Sequence, residues 1–268
     1  MTVTKKLKVA IAIPVYSPLT SIEKDFVELV RKVFSERAIF FVSPSSFCPN
    51  YGPIEEVVYF APKFFKDKHT YSELLCSKEF YSSFSDFDFL QIVQLDCWVF
   101  EDRLDEFMNL GFDIIGAPWM KNGFEGKPEP ELWKVGNGGF SLRNIRSFLS
   151  IIDQIQLTEK GKQPVFKNLN KGLFDMLKDK GFRNNLRHYI KKPPGEDIFW
   201  THYIPKVFDA EEFKIADPVT GAHYAFEVLP EFLFENITGR KLPMGCHNWE
   251  NNNPDFWADH ISLNSPLK

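Results

Sequence analysis

The stretch FDFLQIVQLD, Phe87–Asp96, decides the fold. It is an apolar, β-rich run that leads straight into a carboxylate, as a buried strand does when it ends at a ligand crevice. Working outward, KVAIAIPVY (8–16), AIFFVSP (38–44) and EEVVYFAP (55–62) read as three earlier strands, and FDIIGAPW (112–119) as a fifth. Between them, Thr20 and Glu23 have capping-box spacing ahead of IEKDFVELVRKVF, and SELLCSKEFYSSF (72–84) has helical character. This alternation predicts an α/β fold with a mostly parallel central sheet, Rossmann-like, flanked by crossover helices. In such sheets ligands bind beyond the carboxyl ends of the strands. Pro14, Val15, Tyr16 and Ser17, then Ser43–Ser46, Asp96 and Pro118–Trp119 are therefore expected to share one cleft. NIRSFLSIIDQI (144–155) reads as a helix, 156–192 as a charged elaboration, and the tail from Pro243 as irregular.

The 268 residues are 44% hydrophobic and 25% charged, which suits one soluble domain spanning 1–268. A net charge of −4 gives no reason to expect a nucleic-acid partner. The 28 phenylalanines leave room for an apolar surface toward a partner or membrane. Cys48, Cys76, Cys97 and Cys246 form no C-x-x-C pair, which favours a reducing cytoplasm over a disulfide framework. The opening MTVTKKLKVAIAIPVY has the charge pattern of a signal peptide, but its apolar run is short and contains Pro14, so a buried first strand is expected. No apolar segment is long enough to span a bilayer.

Four features could carry chemistry, and each has a plain structural reading. Asp96 in QLDCW ends a strand, where it can meet a cation or merely cap a loop. VGNGGFSLR, Val135–Arg143, has three glycines around Asn137; they permit close approach of a ligand to the backbone, or simply a tight turn. It lacks the spacing of a P-loop or a dinucleotide fingerprint. PPGEDIFW, Pro193–Trp200, places Glu196 and Asp197 at a helix start, where acids are stabilised by the helix dipole or can serve as a general base. LPMGCHNW, Leu242–Trp249, holds His247, a metal ligand or a satisfied core imidazole.

The order of these four features resembles that of GT-A glycosyltransferases. Asp96 matches the last position of their Asp-x-Asp metal motif, GNGGFSL their glycine loop, GED the motif that supplies the base in inverting members, and His247 their C-terminal metal-binding histidine. The blocks FSDFDFLQIVQLDCWVF, DIIGAPW, VGNGGFSLR, EDIFW and LPMGCHNW also resemble a family of microbial glycosyltransferases known mainly as a domain of unknown function, over residues 55 to 260. The resemblance implies a GT-A-like domain with a nucleotide-binding half (1–117) and an acceptor-binding, catalytic half (118–268). It implies a UDP-sugar donor, a glycan or glycoconjugate acceptor, and a divalent cation, Mn2+ or Mg2+, on Asp96 and His247. A lipid-linked acceptor would bring the protein to the periphery of a membrane.

On this reading Pro14, Val15 and Tyr16 cradle the nucleotide, with Tyr16 stacking on the base or packed in the core. Asn137, Gly138, Gly139 and Arg143 shape the donor site. Asp197 is the base, with Glu196 second. Trp119, Trp133 and Trp249 stack on acceptor sugars, and Trp257 is either a fourth such ring or core. The segment Met120–Lys134 is suited to a lid. Gln94 replaces the first Asp of Asp-x-Asp, which weakens a metal site and leaves Arg143, Arg240 or Lys241 as alternative partners for a diphosphate. A neutral His247 ligand would lose metal below about pH 6 to 6.5. The competing readings are an inactive GT-A-like binding module, a sugar nucleotidyltransferase, for which IPVYSPLT lacks a Gly-rich basic loop, and a metal hydrolase, for which the ligands are too few.

Overall fold

The computed structural model describes residues 6–51, 56–121, 130–166 and 183–261. Strands β1 (Val9–Pro14), β2 (Ala38–Pro44), β3 (Glu56–Phe60) and β4 (Phe89–Val93) run parallel, joined by helices α1 (Ser21–Val33), α2 (Lys68–Leu75) and α3 (Lys78–Ser82). The expected capping box is present: Thr20 accepts from Glu23 N and Glu23 bonds back to Thr20 N. The single helix read over 72–84 is two helices, because Ser77 caps a new one. Strand β5 (Cys97–Val99), helix α4 (Leu104–Met108), strands β6 (Ile114–Gly116), β7 (Pro118–Met120), β8 (Leu132–Val135) and β9 (Phe140–Asn144), and helix α5 (Ile145–Leu157) follow. Short helical turns and strands β10 (Ala225–Phe226) and β11 (Gly245–His247) complete the chain.

The main sheet has the order β3-β2-β1-β4-β9-β6, with β9 antiparallel to both neighbours. The chain winds outward from β1 to β3 and returns on the other side of β1 at β4. The carboxyl ends of β1 and β4 thus flank a topological switch point, where such sheets open a crevice. Side chains alternate across the sheet. Val9, Ile11, Ile13, Phe89 and Val93 join one core with α1 and α4, while Ala10, Ala12, Leu90 and Ile92 join the other with α2, α3 and α5. β1 and β4 are buried throughout, as strands covered on both faces must be. Among the described residues no helix is long and apolar enough to cross a membrane.

Candidate active site

Two strand pairings assemble the site. Because β9 runs against β4, the loop before it lands at the carboxyl end of β4: Gln94 N donates to Gly139 O at 2.8 Å. Because β11 runs against β5, His247 lies opposite Cys97, and Asn248 N donates to Asp96 O at 2.9 Å. Gln94, Asp96, Gly138, Gly139 and His247 therefore meet beside the switch point. β10 is parallel to β11 and hands over directly to Glu227.

The imidazole of His247 is held on both sides. Its Nδ1 lies 3.1 Å from Glu227 Oε1, and its Nε2 lies 3.3 Å from Asp96 Oδ1 and 3.2 Å from Gln94 Oε1. Burial alone would lower its pKa, but Asp96 and Glu227 raise it to about 9. The two carboxylates thus make this imidazole a stronger base than the free side chain. A carboxylate on Nδ1 turns Nε2 toward Asp96 and Gln94, the arrangement that orients histidine ligands. Asp96 is half exposed at the mouth of the site; burial pushes its carboxyl up, and His247 more than offsets this, holding it below the ordinary aspartate value.

Asp96, Cys97 and His247 form a cluster able to hold an ion. Cys97 does not suit that role: its thiol donates to Gly139 O at 3.3 Å, and burial holds it well above its ordinary pKa. Asp96, Gln94 and His247 offer oxygen and nitrogen donors of the kind a divalent cation takes.

On the other side of the glycine loop, Arg143 is fully buried. Its Nη2 donates to both Glu196 oxygens at 2.9 and 3.0 Å, and Nη1 donates to Tyr81 Oη at 2.9 Å. Register explains this: Arg143 lies opposite Leu90 and Ile114, in the middle of the sheet. This pairing leaves Arg143 without an exposed donor for a diphosphate and engages the Glu196 carboxylate. Burial pushes the Glu196 carboxyl up, to about 7, against the pull of Arg143.

Arg240 also lies elsewhere, paired with Glu235, and Lys241 lines a separate cavity with Phe100 and Arg103. Lys68, exposed at the start of α2, is a cation whose charge does reach Asp96.

Asp197 follows Glu196 in a short helical turn, Glu196–Ile198, that opens into a π-helical stretch, Phe199–Tyr203. Gly195 is the N-cap and offers no side chain, and both acids lie in the first turn, where the helix dipole favours negative charge. Phe199 and Trp200 are fully buried and anchor the segment. Asp197 Oδ1 accepts from Ile198 N at 2.7 Å, and no ion pair to Asp197 forms among the described residues. Burial raises its pKa, Ile198 N–H opposes this, and Glu227 adds to it.

The glycines serve these side chains more than a ligand. A Cβ on Gly138 would lie 1.5 Å from Glu196 Oε1, and one on Gly139 would lie 2.2 Å from His247 Nε2. Asn137, in the left-handed region at φ 61°, accepts from Gly139 N through Oδ1. Its Nδ2 is buried without a hydrogen-bond partner, and the buried Tyr71 hydroxyl lies beside Gln94 in the field of Glu196 and Arg143. Unsatisfied buried donors are rare, and the core residue Trp257 has another at its indole N–H.

At the end of β1, Pro14 and Val15 are buried, while Tyr16 is 56% exposed and not packed in the core. Trp119 and Trp133 stack at 6.3 Å with their planes 30° apart, and both line a cleft of about 690 Å³ next to Ile198. Trp249 does not join them; it packs edge-on to Trp98 at 6.2 Å. Trp257 is fully buried core. Most of the expected lid, residues 122–129, and part of the expected elaboration, 167–182, lie outside the described residues. Glu227, Tyr71 and Lys68 were not expected from the sequence; an isolated acid after AF, or a tyrosine within a helix, carries no signal until the strands are paired.

No curated protein sequence matches the chain. Among solved structures it is similar to a glycosyltransferase involved in glycosylation of the major capsid of PBCV-1 (11% identity, 94% of this chain and 98% of that one, TM-score 0.46). It is also similar to the galactosyltransferase LgtC in complex with donor and acceptor sugar analogues (11% identity, 89% and 86% covered, TM-score 0.49). A third is mouse xyloside xylosyltransferase 1 (12% identity, 90% and 97% covered, TM-score 0.47). Likeness of this order bears on neither donor nor acceptor. The family model described as "Protein of unknown function (DUF5672)" matches residues 55–247, a span that takes in every carboxylate of the crevice and ends on His247, and the chain belongs to that family.

Proposed function

We propose that this chain is a nucleotide-sugar-dependent glycosyltransferase of the GT-A type, inverting, with Asp197 as the base. One observation carries the reading. Of the carboxylates gathered at the switch point, Glu196 is paired with Arg143, and Asp96 and Glu227 with His247. Among the described residues Asp197 alone of these four has no ion-pair partner, and its pKa is raised, as suits a proton acceptor.

In this mechanism Tyr16 stacks on the base of a uridine nucleotide. Asn137 Nδ2 donates to the sugar diphosphate, which would satisfy it. Asp96, His247 and Gln94 would hold the divalent ion, which neutralises the departing diphosphate when bound. Lys68 adds positive charge at the mouth. Asp197 takes the proton of the acceptor hydroxyl as its oxygen bonds to the anomeric carbon. The bond from that carbon to the diphosphate breaks on the opposite face, so the configuration inverts. Trp119 and Trp133 offer faces to the acceptor. Arg143 and Glu196 touch no substrate; as positioning residues they fix the turn that carries Asp197.

Thermal unfolding with a panel of nucleoside diphosphates and manganese tests this. A ligand at a hundred times its Kd stabilises by about 2.7 kcal/mol, several degrees of Tm for a chain of this size. Uridine diphosphate and its sugars are expected to give that shift. Stabilisation by guanosine or cytidine diphosphates and not by uridine would refute the donor assignment.

A further inference from the structure

The cleft beside Asp197 has a composition of its own. Ile198 and Val228, the sequence neighbours of Asp197 and Glu227, form part of its wall, which places the cleft one residue along the chain from each carboxylate. Trp119, another wall residue, lies against the glycine loop: a Cβ on Gly136 would meet its ring at 2.0 Å. Met120, Leu229, Pro230 and Phe232 continue the apolar surface, and the cleft holds about 690 Å³. That is within the range of pockets that enclose a small molecule.

Charge decides what does not bind there. Among the described residues no lysine or arginine lines the cleft and Glu231 is its one charged side chain, while Lys134 Nζ lies 3.2 Å from the wall residue His202, so the lining itself offers a diphosphate no cation. The neutral polar groups of the wall are His202 and Asn251–Asn253. A bare oligosaccharide carries a hydroxyl on nearly every ring carbon. Against the aliphatic part of this wall those hydroxyls would lose water and gain no hydrogen bond.

The wall is also held in a costly shape. Leu229 has φ 50° and ψ 52° immediately before Pro230, and Asn253 has φ 54°. Both residues line the cleft. A leucine in the left-handed region persists only where its surroundings over-determine it, and such strain gathers at ligand clamps.

We infer that the cleft binds the apolar aglycone of a neutral amphipathic acceptor, a glycoside whose hydroxyl faces Asp197 while its hydrocarbon or aromatic group lies between Trp133, Val228 and Phe232. The inference rests on the proposed glycosyl transfer and names its acceptor class. The stacked Trp119 and Trp133 rings suit the boundary, since an indole face accepts either the C–H face of a sugar or a hydrocarbon.

Calorimetry on the full chain with matched methyl and octyl glycosides of glucose and galactose, below their micelle concentrations, is the test. UDP stabilisation is measured on the same samples. The octyl glycoside is expected to bind at least about tenfold more tightly than its methyl counterpart. Val228→Asp and Trp133→Ala should each remove most of that preference while UDP still raises Tm. Two variants are used because Val228→Asp alone could fail to fold, whereas Trp133 is 41% exposed. Equal affinity for methyl and octyl forms, or a preference unchanged in both variants, overturns the inference and leaves the donor reading standing. Absence of UDP stabilisation in the wild type overturns instead the reading on which it rests.

Discussion

At the scale of the residue, Asp197 is held in a state that costs stability. Burial and the nearby Glu227 charge keep its carboxyl above the ordinary aspartate value. A group whose folded pKa is raised favours folding when protonated, and that contribution is lost as pH rises through the folded value. At pH 7 the ionised carboxylate is therefore a net cost. Asp197→Asn removes the charge and keeps an oxygen for Ile198 N–H. Thermal unfolding at pH 7 should show the variant more stable than wild type by about 1–3 °C. The gain should shrink as pH falls through the folded value, where wild-type Asp197 becomes protonated as well. A lower Tm at pH 7 would mean that the carboxylate is a structural partner and not a base held under strain.

At the scale of the element, the glycine loop before β9 is shaped by what presses on it. Gly138 is not among the residues with positive φ, so its need for glycine is steric and not conformational. An added methyl would displace Glu196 Oε1 and loosen a fully buried ion pair with Arg143. Gly138→Ala should cost about 1–3 kcal/mol in urea unfolding. A neutral result would show that the carboxylate moves aside freely. The same elements show what the sequence makes legible. The first four strands, α1 and its cap follow from apolar runs and capping residues, which act locally. Gln94, Asp96, the glycine loop, Glu196, Asp197 and His247 are visible as punctuation at element ends. Arg143, expected at the donor site from its place at the end of the glycine motif, lies in the core because β9 pairs between β4 and β6. Glu227 was missed for the same kind of reason. Its bond to His247 exists because a two-residue strand, β10, runs parallel to β11, and no local pattern predicts a pairing that short.

At the scale of the whole molecule, the site is where three pieces of architecture converge. The switch point between β1 and β4 opens the crevice, the antiparallel β9 brings the glycine loop to it, and the small sheet β10-β11-β5 delivers His247 and Glu227. The central claim is that this convergence serves glycosyl transfer with Asp197 taking the acceptor proton. Single-turnover kinetics of Asp197→Asn with a UDP-sugar and a glycoside acceptor, read beside its calorimetric Kd for UDP, tests that claim most directly. The rate of sugar transfer should fall by about 10²-fold or more, while the Kd for UDP stays within about twofold of wild type. Transfer at the wild-type rate by Asp197→Asn would contradict the account.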